Sequence, residues 1–200
     1  VADVTDSSAV EEALAMVVDS FGGLDMLVLN AGLFPPTRRI DEIDDDSWSR
    51  TMAVNLDANQ RLLRLCYPLL KLSPHGGRVV VVGSKNVPAP GPGAAAYSAS
   101  KAAMTQLARV AALEWANDGI RVNVLHPNSV FDTNLWGNGI LEKRAAAYDM
   151  TVDQYKRRNL LKQEVFSRDV AEAAAEFCGP RFAKTTGAQL PVDGGEDRVV

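Results

Sequence analysis

Tyr97 and Lys101 stand four residues apart in the run Tyr97-Ser98-Ala99-Ser100-Lys101. On a helix that spacing puts both side chains on one face. The pair has a chemical use. A free tyrosine, with a pKa of about 10, is a poor base at neutral pH. An ammonium about 4 Å away stabilises the phenolate by roughly 4 kcal/mol at an effective dielectric of ~20, at most about three pKa units. The phenol then enters the working range of a general acid/base. Ser84 lies 13 residues earlier, at the end of an apolar run, where its hydroxyl can hydrogen-bond the same substrate oxygen. Alone, a Tyr-x-x-x-Lys pair is more often an amphipathic surface feature, so the elements that carry it decide its meaning.

Those elements alternate. Ser8 and Glu11 read as a capping box for a helix that Gly22-Gly23 ends. Residues 24–30 (LDMLVLN) read as a strand buried on both faces and ending at Ala31-Gly32. A helix follows from about Asp46 to Leu70, a buried strand at Arg78–Gly83, a helix from about Ala95 to Asn117 and a strand at Gly119–His126. Residues 127–166 are mixed and polar, with weak helical patterns at Leu141–Tyr148 and Val152–Asn159. Ser167 is expected to cap a helix to Cys178, and Gln189–Val192 reads as a last strand before Asp193-Gly194-Gly195. Strands separated by long helices predict right-handed crossovers and a doubly wound, three-layer parallel sheet in one domain over residues 1–200. In such sheets ligands sit outside the carboxyl ends of the strands. Asn30, Ser84 and Pro127 occupy those ends.

Composition narrows the function classes. The chain has 200 residues and a net charge of −4, with no basic excess to displace counterions from nucleic acid. No apolar run approaches the ~18 residues of a membrane span. Cys66 and Cys178 are far apart, and with His75 and His126 they form no metal-ligand spacing. The expectation is a reduced, cytoplasmic protein acting on a small molecule, with no metal, membrane or nucleic-acid partner.

The full set of motifs resembles the short-chain dehydrogenase/reductase family. It comprises Asp3-Val4, the turn Asn30-Ala31-Gly32, Asn55 in a Val-Asn-Leu context, Ser84, the Tyr97–Lys101 box, the proline after the third strand, and residues 186–195 (TGAQLPVDGG). The resemblance covers essentially the whole chain, in order. It implies that Tyr97 is the acid/base, that Lys101 holds the nicotinamide ribose and lowers the Tyr97 pKa, that Ser84 orients the substrate oxygen, and that the Asn55 carbonyl serves a water in the proton relay. Asp3 and Val4 would contact adenine. Asn30, Ala31 and Gly32 would line the adenosine side, and Pro127, Val130 and Thr133 the nicotinamide side. NAD is the implied cofactor, with NADP left open, and a homodimer or homotetramer through the two long helices is the implied assembly.

Three departures matter. The family's glycine after the proline is Asn128 here, a residue that tolerates positive φ. The family's first strand, glycine-rich turn and first helices are expected before Asp3, so the 200 residues read as the rear part of a dehydrogenase domain, with residues 27–30 an exposed apolar edge and weak or no cofactor binding by this piece alone. Gly91-Pro92-Gly93-Ala94-Ala95-Ala96 mimics a phosphate-binding fingerprint but lies too far from its strand. Lys85 and Asn86 follow Ser84 where most members carry small or apolar residues. They suit a small, oxygenated or anionic substrate, or Lys85 points to solvent. Residues 84–103 and 179–195 are most similar to the dehydrogenase modules of bifunctional rhamnulose-1-phosphate aldolase/alcohol dehydrogenases. That similarity implies oxidation of lactaldehyde to lactate and an upstream aldolase module. A sugar or polyol dehydrogenase, or a catalytically silent assembly module, are the alternatives.

Overall fold

The alternation of apolar residues along the central strands dictates two cores. In the computed structural model, which describes residues 1–137 and 139–195, Val79 and Val81 of β2 (Arg78–Val82) face one side of the sheet with Val122 and Val124 of β3 (Arg121–Pro127). Val80 and Leu125 face the other. The first side is covered by α3 (Ala58–Lys71) and α4 (Ala95–Trp115) through Leu63, Cys66, Leu70, Met104 and Ala108. The second is covered by α7 (Ser167–Cys178) through Val170, Ala174 and Phe177. A residue period of 2 on strands against 3.6 on helices builds this sandwich.

The sheet is wholly parallel, in the order β1-β2-β3-β4, with β1 at Met26–Leu29 and β4 at Gln189–Val192. Helices α1 (Ser7–Phe21) and α2 (Asp45–Met52) and the short α5 (Ile140–Ala146) and α6 (Val152–Lys156) complete it. The three-layer α/β expectation holds, with four local corrections. Asp6, not Ser8, caps α1: its carboxylate accepts from the amides of Ser8 and Ala9. Ser167 is the first residue of α7, and Asp169 accepts from the Phe166 amide at 2.8 Å. The helix read as continuous from 46 to 70 is interrupted by a π-helical segment, Ala53–Asp57. Strand β1 is not buried on both faces. Met26 and Val28 are 49% and 48% exposed, because β1 is an edge with one neighbour; this agrees with the expected apolar edge.

Among the described residues, no helix is long and apolar enough to cross a membrane.

Candidate active site

Ser84 follows β2 at the carboxyl edge, and its orientation is set from beneath. Gly83 has no room for a side chain: a Cβ there would sit 2.8 Å from His126 Nδ1. The His126 ring therefore lies directly under the strand end, with Nδ1 3.2 Å from Ser84 N and 3.0 Å from Ser84 O, and Nε2 2.9 Å from Gln189 Oε1. The Ser84 hydroxyl accepts the Asn86 amide at 3.1 Å and lies near enough to the Tyr97 phenol to pull its pKa down slightly. Tyr97 lies in the first turn of α4, with Phe34 packed on its ring at 4.6 Å between centroids.

Lys101, one turn on, points the same way. Its Nζ is 5.9 Å from the Tyr97 ring centroid and donates to the Val82 carbonyl at 2.8 Å. It is 4% exposed and has no carboxylate beside it among the described residues. An ammonium carries three donors; here one is satisfied by protein, and the others lie beside Gly32, where a Cβ would come 3.4 Å from Nζ. That open cradle fits a neutral polyhydroxyl ligand such as a ribose.

Asn55 is the hub. The π segment turns its side chain inward, and its Oδ1 accepts the Leu33 amide at 2.7 Å while Nδ2 donates to Leu33 O at 2.9 Å and Ser100 Oγ at 3.0 Å. Ser100 passes its own proton to the Tyr97 carbonyl at 2.8 Å. The Asn55 carbonyl accepts Asn59 Nδ2 at 2.8 Å. Wide π turns recur at functional sites because they free a backbone group and re-aim a side chain.

Electrostatics differ from the sequence expectation. Burial pushes the Tyr97 phenol above its ordinary value, partly opposed by the Ser84 hydroxyl. Burial pulls Lys101 down to about 8. The ammonium does not bring the phenol down here, because it is itself desolvated and is turned to the Val82 carbonyl.

Other expected site residues separate into three groups. Gly32 lies in the cradle; Asn30 is exposed at the end of β1 and Ala31 half-buried beside it. Asp3 is exposed and holds its own turn, accepting Thr5 N and Oγ1 at 2.8 and 2.7 Å, with Val4 half-buried behind it. Beyond β3, Pro127 O accepts the Lys85 amide, and the Thr133 hydroxyl donates to Val130 O at 2.9 Å, so Thr133 is turned back on its own loop. The left-handed residue after Pro127 is Ser129 (φ +51), not Asn128. Lys85 is a correction: it neither faces a substrate nor points to solvent but is 1% exposed, in an ion pair with Asp193. The Asn86 side chain accepts the Gly91 amide at 3.2 Å and so braces the loop. Phe131 and Trp136 pack on each other and on Tyr155. Gly93 (φ +76) lets its loop touch Thr37, where a Cβ would be 2.4 Å away. Phe34 and Ser100 were not anticipated, and of the two only Ser100, inside the Tyr97–Lys101 box, carried a sequence signal; His126 stands at a strand end, where the topology already pointed.

The sheet and the site define a doubly wound α/β protein with Ser84, Tyr97, Lys101 and Asn55 gathered at its carboxyl edge. A family model described as enoyl-(acyl carrier protein) reductase matches residues 1–196. An oxidoreductase of Bacillus subtilis (strain 168), YuxG, is 38% identical over 198 residues, which are 96% of this chain but 29% of that protein. The NAD-dependent oxidoreductase Rv0687 of Mycobacterium tuberculosis (strain ATCC 25618 / H37Rv) is 31% identical over 194 residues, 96% of this chain and 70% of that one. The 3-ketoacyl-(acyl-carrier-protein) reductase of Brucella melitensis, solved with NADH, superposes with a TM-score of 0.85 at 26% identity, covering 97% of this chain and 76% of that one. The chain belongs to the short-chain dehydrogenase/reductase family.

Proposed function

We propose that the chain carries the catalytic part of an NAD-dependent oxidoreductase that interconverts a small hydroxyl compound and its carbonyl. The observation that carries the reading is Tyr97 one helical turn from a buried Lys101 that meets only the Val82 carbonyl, with Ser84 at the end of the adjoining strand. Tyr97 exchanges a proton with the substrate oxygen while Ser84 donates to that oxygen and holds it in place. Lys101 and the Gly32 cradle hold the ribose hydroxyls of the cofactor, and Asn55 fixes the distance between the loop at Leu33 and α4. Bound nicotinamide would supply the acceptor or donor of hydride. NAD is favoured over NADP by the NAD-dependent relative named above.

The substrate proposed is lactaldehyde, oxidised as its hydrate to lactic acid, a hydride (two electrons and one proton) going to NAD and a second proton leaving through Tyr97, after which the acid releases a further proton to water and departs as lactate. Its support is the similarity of residues 84–103 and 179–195 to dehydrogenase modules fused behind an aldolase, together with the small share of the Bacillus subtilis relative that this chain spans. An aldolase module on the same polypeptide is therefore part of the proposal. So is assembly as a homodimer or homotetramer, through the groove of about 660 Å³ that α3 and α4 line with Gln60, Arg61, Arg64, Ala103 and Leu107.

The test is nicotinamide absorbance at steady state with the full-length protein and a panel of lactaldehyde, polyols and sugars, wild type against Tyr97→Phe. The expected result is lactaldehyde turnover that the substitution lowers by at least about a thousandfold. Retained turnover in Tyr97→Phe would refute the assigned acid/base.

A further inference from the structure

Lys85 stands next to Ser84 and takes no part in the proton transfer, yet few side chains in the molecule are more enclosed. Its ammonium lies 2.5 Å from Asp193 Oδ2, and the two side chains are 2% and 6% exposed. The Lys85 amide donates to Pro127 O at 3.0 Å, which ties the turn after β2 to the end of β3. Asp193 opens the turn after β4 and accepts the Gly195 amide through its other oxygen at 2.9 Å. The carbonyls of that turn then hold a distant segment: Gly195 O accepts Leu160 N at 2.9 Å and Gly194 O accepts Leu161 N at 3.0 Å. Gly194 (φ +67) lies so close to Asn159 that a Cβ would be 2.5 Å from its Cγ. Leu160 and Leu161 are 71% and 66% exposed. Backbone bonds to the turn, and not burial of their side chains, hold them.

A continuous chain of contacts thus runs from Ser84 through Lys85 and Asp193 to residues 159–163, all at the carboxyl edge where ligands of such sheets sit. A buried ion pair is a poor source of stability, since desolvation consumes most of its attraction, and its best-attested use is to select one geometry. We propose that Lys85 and Asp193 form a positioning pair, which sets the segment 159–163 relative to Ser84 and thereby the fit of the substrate, without touching the reacting atoms. The kinetic part rests on the oxidoreductase reading above; the structural part does not.

The test uses the full-length protein with Lys85→Met, Asp193→Asn and the double variant. The double variant removes both charges, keeps the oxygen that accepts the Gly195 amide, and leaves no unpaired buried ion to unfold the chain. Hydrogen exchange at the Leu160 and Leu161 amides is expected to quicken at least tenfold in the double variant, with the melting temperature within a few degrees of wild type. For the fastest substrate of the panel, KM is expected to rise at least tenfold with kcat within threefold. Unchanged exchange at both leucines, or a fall in kcat at constant KM, overturns the proposal. If wild type turns over no panel substrate, the oxidoreductase reading fails and the exchange result alone decides the tether.

Discussion

Two lysines frame the end of β2, and the chain treats them oppositely. Lys101 grips Val82 O, two residues before Ser84; Lys85 follows Ser84 directly. Both are less than 5% exposed. Lys85 meets a carboxylate, whereas Lys101 meets only a carbonyl, and burial pulls its pKa down to about 8. A buried cation with its counter-ion supplied is finished as structure. A buried cation without one is costly unless a ligand completes its hydrogen bonds. The difference separates a fastening from a binding group, although both residues are the same type, equally hidden and on opposite flanks of one serine.

That contrast can be broken in several ways. The largest effect is expected in turnover: Lys101→Ala should lower kcat/KM by a hundredfold or more in the full-length protein, while the Lys85→Met/Asp193→Asn double variant leaves kcat within threefold. Equal losses in kcat from the two would erase the distinction. Next is pH. Because the folded Lys101 pKa lies below that of the unfolded chain, the native state resists protonation there; the penalty is fully present below pH 8 and fades as pH rises toward 10. Lys101→Met should therefore be more stable than wild type at pH 7, and its advantage in denaturant titrations should shrink by about 2 kcal/mol between pH 8 and 10. Taking the difference cancels the opposing drift from Cys66, whose thiol burial pushes up to about 11. Smaller still, Gly83→Ala should cost about 1–3 kcal/mol of stability, since His126 fills the space its methyl needs. That residue lies between the two lysine-held positions, so a loss of turnover larger than the loss of folded protein would show that both lysines act through the placement of Ser84. Finally, Ser100→Ala, which removes one link between Asn55 and the Tyr97 carbonyl, is expected to lower kcat a few-fold, read in the same absorbance assay.

The layers and strand order of the molecule were legible because β2 is a run of four valines after one arginine and β3 carries Val122, Val124 and Leu125 between long helical segments. Tyr97 and Lys101 stand at helical spacing and Ser84 just after a strand, so local rules single them out; Asn55 lies mid-helix and enters only through the resemblance to the family. Lys85 was not legible. Its partner is 108 residues away in sequence, and nothing within its own turn distinguishes a lysine aimed inward from one aimed out. The direction of the Tyr97 shift was missed for a related reason: spacing says how near an ammonium lies, not how dry the pocket is. The cap at Asp6 was misread as Ser8 because both residue types accept amides and stand two apart. Ser129, and not Asn128, took the left-handed conformation although asparagine is the better candidate by propensity, so the path of the loop after Pro127 overrode the local preference.

The widened turn at Ala53–Asp57 has one more consequence. It places a phase slip in the middle of a long rod, so the apolar stripe of α2 and that of α3 belong to different registers of the same helix. Shortening the rod by one residue there would heal its geometry, yet it would swing Asn55 by about 100°, away from the loop it clasps. A smoother helix and a working clasp are thus alternatives, and this chain keeps the clasp.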